Sequence, residues 1–263
     1  MKVLIKVGGS LLDEPPSQHR IAGELAEIAR EYETVIVHGG GKQVTRFLDA
    51  QGVKSTFVNG LRVSDAAVID AVTKVIAGSV NKSLVSALVA AGEAAVGISG
   101  IDGLLTTAVA LSPEMQFVGK PVRSDSRLLD LLVNAGYLPV IACLAGDGRG
   151  VIYNVNADQM AVSCAVGWRA DKLIFLTDVL GVKDARGEIA SRLDTAQMRL
   201  LIDAGVAHGG MQAKLEAATL ALSSGIEEVA IASGHELCAC RKILAGERIG
   251  TRLAPVSERA INT

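Results

Sequence analysis

The run Lys2-Val3-Leu4-Ile5-Lys6-Val7 is apolar and β-branched, and it ends abruptly on Gly8-Gly9-Ser10. The same device returns at Val35-Ile36-Val37, which leads into His38-Gly39-Gly40-Gly41-Lys42, after which Val44, Phe47 and Leu48 fall at helical spacing. Strands that stop on glycines and continue into helices specify a parallel sheet covered by helices on both faces. They also specify a chemistry, because a glycine turn lets backbone N–H groups approach an anion closely, here with a lysine beside them. Neither loop is a G-x-x-x-x-G-K-[ST] or a G-x-G-x-x-G at a strand exit, so any nucleotide logic here is of another type.

The alternation continues down the chain. A helix from about Ser17 places Ile21, Leu25, Ile28 and Ala29 on one face. Another starts near Lys42, and Ser64-Asp65 reads as the N-cap of a helix carrying Val68, Ile69, Val72 and Ile76. Further strands are expected at Ala94–Ser99, Tyr137–Cys143, Leu173–Thr177 and Val229–Ala232. The segments Gly103–Gly119 and Gly146–Tyr153 read as hairpins appended to the sheet. The expected fold is α/β, a three-layer αβα sandwich with a central, mostly parallel sheet. A soft division falls near residue 170, with residues 1–170 and 171–263 sharing one continuous sheet.

Composition fits that architecture: 49% of the 263 residues are hydrophobic but only 3% aromatic, as expected of a core built from Val, Ile, Leu and Ala. With 26 basic and 28 acidic residues and a net charge of -2, the composition argues against a polyanion partner such as nucleic acid. Cys143, Cys164, Cys238 and Cys240 lack metal-site spacing and are read as buried or incidental thiols in a reducing compartment. The first residues read as a strand rather than a signal peptide, and no apolar stretch reaches the ~18 residues that span a bilayer. A cytoplasmic location is expected.

Ligands of open α/β sheets bind at the carboxyl ends of strands. Here those ends are Gly8–Ser10, Gly39–Lys42, Ser99–Gly103 and Thr177–Lys183, with Lys6, Lys42, Asp102, Asp178 and Lys183 at or beside them. Asn59-Gly60-Leu61-Arg62-Val63-Ser64, Asn154-Val155-Asn156-Ala157-Asp158-Gln159, Thr177-Asp178-Val179-Leu180-Gly181-Val182 and Gly209-Gly210-Met211-Gln212-Ala213-Lys214 complete the set. In this order, from Lys2 to about Ala254, they resemble the amino-acid kinase family, and within it the branch whose acceptor is the side-chain carboxylate of N-acetyl-L-glutamate.

The resemblance implies ATP, with Mg2+ bound together with the nucleotide, as the phosphoryl source, and a place in arginine biosynthesis. It implies that Lys6 and Lys214 stabilise the transferring phosphoryl group and that Asp158 holds them. Gly39, Gly40, Arg62 and Asn154 correspond to the acetylglutamate-binding positions. Gly8 and Gly9 correspond to the phosphate loop. Asp178, Val179, Leu180, Gly181, Val182 and Lys183, with Val206, Ala207 and His208, correspond to the nucleotide lobe. It also implies a homodimer of the arginine-insensitive branch, since the first strand begins at Lys2; the apolar helix from Ser64 to Ala77 and its neighbour to Ala91 serve as dimer surface or as core.

The chemistry agrees with the roles. An acceptor carboxylate with a reference pKa of about 4.3 is already ionised, so no general base is needed; the difficulty is bringing one anion up to another, which calls for fixed cations and N–H dipoles. Arg62 suits a carboxylate through its planar fork, and Asn154 can both donate and accept. His38 is read as structural, satisfying a backbone group at the loop entrance.

Three other readings bear on the same residues. His38-Gly39-Gly40-Gly41 resembles an esterase oxyanion loop, but Gly97-Ile98-Ser99-Gly100-Ile101 lacks the last glycine of a nucleophile elbow. A non-catalytic amino-acid sensor would be free to lose Lys6, Lys214, Asp158 and Arg62. A kinase for carrier-bound aminoadipate shares the loop Ser99-Gly100-Ile101-Asp102-Gly103, whereas Gly41 and the run Asn154 to Asp158 lean toward free acetylglutamate. Ser64 stands where many relatives have Thr.

Overall fold

A computed structural model describes residues 1–256. Its strands are β1 (Lys2–Val7), β2 (Glu33–His38), β3 (Phe57–Val58), β4 (Leu61–Arg62), β5 (Ala95–Ser99), β6 (Thr106–Ala110), β7 (Val118–Ser124), β8 (Leu138–Ala142), β9 (Leu144–Gly146), β10 (Ile152–Val155), β11 (Lys172–Thr177), β12 (Arg192–Asp194), β13 (Glu228–Ser233) and β14 (Thr251–Ala254). The helices are α1 (Pro15–Glu31), α2 (Gly41–Ala50), α3 (Ala66–Val72), α4 (Asn81–Ala90), α5 (Arg127–Asn134), α6 (Ala157–Trp168), α7 (Thr195–Asp203), α8 (Gly209–Ser223) and α9 (Ala239–Leu244).

Eight strands form one sheet in the order β12-β14-β13-β11-β1-β2-β8-β5, parallel except where β13 meets β14. Strands from both sides of residue 170 share it. Helices α1, α4 and α9 pack together in one layer; α6 and α8 pack together in another, with α6 against β1, β2 and β11. Val3, Leu4, Ile5 and Val7 are fully buried, as are Val35, Ile36 and Val37, which is why both strands read as uninterrupted apolar runs rather than alternating ones.

The order of the central strands positions the site. β1 lies between β11 and β2, with Lys6 level with Phe175 on one side and Val37 on the other. The loops leaving β11, β1 and β2 therefore emerge side by side. The chain runs from β1 to β2 in one direction and from β11 to β13 in the other, so the crevice opens where the connections diverge.

Four readings of the sequence need correction. The two appended hairpins close on each other, and β10, β7, β6 and β9 form a small barrel beside the sheet. Asp65, not Ser64, caps α3, its carboxylate accepting from Val68 N–H at 2.9 Å. The short edge strand β12, its neighbour β14, and the hairpin of β3 with β4 were too brief to read as strands. Finally, α3, the π-helical stretch Thr73–Val80 and α4 run on as one helix, Ala66–Ala90, of 25 residues, within which an 18-residue stretch has mean hydropathy 1.2, long and apolar enough by composition to cross a membrane. Its apolar face is a core face: Val68, Val72, Val75, Ile76, Val80, Leu84 and Leu88 are buried in the protein. Among the cysteines, Cys143, Cys164 and Cys240 are buried, Cys238 is exposed, and all are free.

Candidate active site

The site is organised around one buried carboxylate. Asn156 caps α6, its side-chain oxygen accepting from Asp158 N–H at 2.9 Å and Gln159 N–H at 3.2 Å. That leaves the Asp158 carboxylate free of capping duty. Lys6 Nζ, from the end of β1, stands 2.8 Å from Oδ1; Lys214 Nζ, from the second turn of α8, donates to Oδ2 at 2.9 Å. The Lys6 contact is an ion pair without hydrogen-bond alignment, so Oδ1 has no formal donor. Burial alone would raise the Asp158 carboxyl, but Lys6 and then Lys214 outweigh it and hold it below the usual carboxylate range. Two cations sharing one anion leave a net positive charge of one in a nearly dry setting.

The glycine loops close over this charge. A Cβ on Gly9 would stand 3.2 Å from Gly40 N, so the two loops approach tightly there, and a Cβ on Gly39 would stand 3.3 Å from Ala157 Cβ at the start of α6. Gln43 Nε2 ties them together by donating to Gly9 O at 3.1 Å. Gly8 sits differently: its N–H donates to Leu176 O at 2.9 Å, so Gly9 is the member of the first loop that faces the crevice. The crevice, about 240 Å³, is lined by Lys6, Gly9, Gly40, Arg62, Asn154 and Cys143. Burial pushes the Cys143 thiol up to about 12, so it is an inert wall.

Arg62 is buried and already engaged. Nη2 donates to Gly41 O at 2.9 Å and Thr45 Oγ1 at 2.7 Å, Nη1 donates to Ser55 Oγ, and the Phe57 ring lies 4.7 Å from the guanidinium carbon. Burial lowers its pKa, against a raising effect of Asp49. Three of its five N–H donors are spent on protein, leaving Nε–H and one Nη1 hydrogen for a ligand. Asn154 Nδ2 donates to Ser64 Oγ at 3.1 Å, and Ser64 Oγ donates to Arg62 O at 2.9 Å, so β10 and the β4 turn are locked and Asn154 Oδ1 is left free to accept.

The remaining candidate residues lie apart from this crevice. Residues 178–183 form the turn after β11, with Val179 and Leu180 exposed, and Val182 N–H held by Thr251 Oγ1 at 2.8 Å. Gly181 is packed so tightly on Thr251 that a Cβ there would lie 2.7 Å from its hydroxyl. Val206 and Ala207 precede His208, the N-cap of α8. Lys42 pairs with Asp13 at 3.7 Å, and Asp102 accepts from Ser99 N–H at 2.6 Å; neither lines the crevice. Residues that sequence reasoning missed are Gln43, Thr45, Ser55 and Asn81; polar residues on helices or loops carry no sequence signal that separates them from solvated ones.

A profile of the amino acid kinase family matches residues 1–233. The chain is 52% identical to the curated acetylglutamate kinase of Solibacter usitatus over 254 residues, covering 96% of this chain and 99% of that one. It is 42% identical to that of Acidobacterium capsulatum, over 92% of this chain and 96% of its relative. Among solved structures, N-acetylglutamate synthase from Neisseria gonorrhoeae, complexed with coenzyme A and N-acetyl-glutamate, superposes with a TM-score of 0.86 at 25% identity, over 97% of this chain; the chain spans 60% of that protein. Giardia carbamate kinase, at 17% identity and a TM-score of 0.69 over 97% of this chain and 98% of its own, shares the fold.

Proposed function

The chain belongs to the amino acid kinase family, and on that premise we propose that its reaction centre is the crevice where Lys6, Asp158 and Lys214 meet the two glycine loops. It phosphorylates the side-chain carboxylate of N-acetyl-L-glutamate to N-acetylglutamyl 5-phosphate, a step of arginine biosynthesis. The observation that carries the site is the bridged lysine pair, with Nζ atoms 2.8 and 2.9 Å from the two oxygens of one buried aspartate.

In this reading the protein contributes position and charge. Lys6 and Lys214 present fixed ammonium groups to the equatorial oxygens of the phosphoryl group in transfer, where negative charge is spread and desolvated. Asp158 keeps both in place and makes their burial tolerable. The N–H groups of Gly9 and Gly40 face the same anion. The acceptor carboxylate attacks in its ionised form, so no side chain need take a proton; His38, the nearest histidine by sequence, is lowered to about 4 by burial, with Lys82 adding to it against a bond to Gly39, and is sequestered from the crevice. Arg62 and Asn154 grip the acetylglutamate, Arg62 with its two uncommitted donors and Asn154 with Oδ1.

ATP lies along the C-terminal half, residues 171–263, with residues 178–183 and 206–208 around the nucleoside and the N-terminus of α8 toward its phosphates; residues 1–170 bind the acetylglutamate. Exposed Val179 and Leu180 at the carboxyl end of β11 support that placement, offering apolar contact to a base. Mg2+ enters with the nucleotide. Among the described residues no group of three or more His, Cys, Asp or Glu side chains is placed to hold it. A cytoplasmic homodimer completes the proposal.

The test is an acceptor panel with MgATP, trapping acyl phosphate with hydroxylamine. Hydroxamate from N-acetylglutamate, in excess over glutamate, aspartate and aminoadipate derivatives, is expected. Turnover of a different acceptor with acetylglutamate left untouched would refute it.

A further inference from the structure

His38 and Asn81 lie behind the second glycine loop, and both are buried. Asn81 Nδ2 is 2.9 Å from Val140 O, which can only accept, so the amide orientation is fixed with its nitrogen toward the sheet. The same Nδ2 lies 3.0 Å from His38 Nε2. An amide nitrogen donates, so Nε2 must offer a lone pair, and the ring proton therefore sits on Nδ1, which donates to Gly39 O at 2.8 Å. Asn81 thus dictates the tautomer of His38.

The consequence runs through one peptide plane. In a trans peptide the carbonyl of Gly39 and the N–H of Gly40 point in opposite directions, and no peptide bond among the described residues is cis. With Gly39 O tied to the buried imidazole, Gly40 N–H faces away from the core, toward Gly9 and the crevice. Among the described residues it takes no protein acceptor. The long helix presses from behind, with Ile76 Cγ1 and Val80 Cγ2 each 3.3 Å from where a Cβ on Gly40 would stand. Asn81 Oδ1 has no donor, and a Cβ on Gly97 would collide with it. An orphaned buried acceptor is destabilising, so stability alone does not account for an asparagine here.

We propose that His38 and Asn81 are positioning residues, which fix the Gly39–Gly40 peptide so that Gly40 N–H is held as a preorganised donor to the anion in the crevice. This rests on the reading of that crevice as the phosphoryl-transfer site. Neither side chain touches substrate; their effect is on kcat, through the orientation of one dipole.

The experiment compares three replacements. His38→Asn keeps an N–H near the Nδ1 position, His38→Gln keeps an acceptor near Nε2 but loses the Nδ1 donor, and His38→Leu keeps neither. Loss of one preorganised donor lowers turnover by roughly 10²-fold when complete, and a misoriented one by roughly tenfold. The Gln and Leu variants are therefore expected to lose about 10- to 100-fold in kcat with the KM for ATP little changed, and the Asn variant to recover to within about threefold of wild type. Equal kcat in the Asn and Gln variants, or kcat that simply tracks the melting temperature across the series, would overturn the proposal; if the Leu variant fails to fold, the Asn and Gln pair alone decides it.

Imidazole 15N NMR of His38 gives a readout independent of turnover: the Nδ1–H tautomer is expected at neutral pH, and an Nε2–H tautomer would refute the scheme. Failure of wild type to phosphorylate acetylglutamate would instead strike the reading of the crevice, since the Asn-to-Gln ratio is measured on whichever acceptor is turned over.

Discussion

Replacing Asp158 by Asn keeps the shape of the side chain and removes the anion that lies between the buried Lys6 and the partly buried Lys214 ammonium groups. At an effective dielectric of about 20, a unit charge pair at the 2.8 Å seen for Lys6 attracts by about 6 kcal/mol before desolvation is counted. Removing one partner of a buried pair costs about 3–5 kcal/mol, because the survivor keeps its desolvation penalty without compensation. Here two survivors would face each other. The cheapest relief is for one lysine to shed its proton or swing toward solvent, and either removes a cation from the transfer site. Loss of one preorganised electrostatic partner is worth about 10²- to 10³-fold in kcat, so Asp158→Asn is expected to lose at least 10²-fold. Hydroxamate formation at saturating MgATP and acetylglutamate measures kcat, and thermal melting shows whether the variant is folded. A folded Asp158→Asn enzyme with kcat within about threefold of wild type would refute the bridging role.

Lys6→Ala and Lys214→Ala should each lower kcat by roughly 10² or more, with smaller changes in either KM, as steady-state kinetics on each substrate will report. Arg62→Ala should act chiefly on the KM for acetylglutamate, while kcat at saturation stays closer to wild type. Gly9→Ala places a methyl group 3.2 Å from Gly40 N, and should impair turnover and the KM for ATP together while leaving the core intact, which circular dichroism checks. Asp158 has a folded-state pKa below its unfolded value near 3.9, so its stabilising contribution is complete above that value and is lost as pH falls through the folded one. Urea melts should therefore show the gap between wild type and Asp158→Asn narrowing only below about pH 4.

The central sheet was legible because its strands are buried on both faces: Val3 to Val7 and Val35 to Val37 leave continuous apolar runs, and glycines mark where each ends. The barrel was half legible. Its hairpins show as apolar runs between turns, but closure depends on β10 lying parallel to β7 and β6 reaching β9, pairings no local pattern encodes. The union of α3 and α4 was hidden for a related reason, since the π-helical stretch shifts the apolar periodicity between Thr73 and Val80. The lysine and aspartate positions were legible only as parts of ordered motifs. Nothing local says that Lys6 and Lys214 share one carboxylate, because the strand order brings them together. Asn81 was not legible at all: an asparagine inside a helix reads as solvated surface, and only the packing of that helix on β5 and β8 turns it toward His38. His38 was read correctly as bonding a backbone group at the loop entrance, while the use of that bond depends on the peptide it orients.

The most direct measurement follows oxygen atoms. N-acetylglutamate labelled with 18O in both side-chain carboxylate oxygens is incubated with MgATP and hydroxylamine, and the released phosphate is analysed by mass spectrometry. Direct attack of the carboxylate on the phosphorus makes a carboxylate oxygen the bridge, and hydroxylamine then attacks the acyl carbon, so each phosphate leaves with one 18O while the hydroxamate keeps the other. One 18O per phosphate, formed only when acetylglutamate is present and lost together with turnover in Lys6→Ala, is the expected result. Unlabelled phosphate, formed at the same rate without the acceptor, would contradict it.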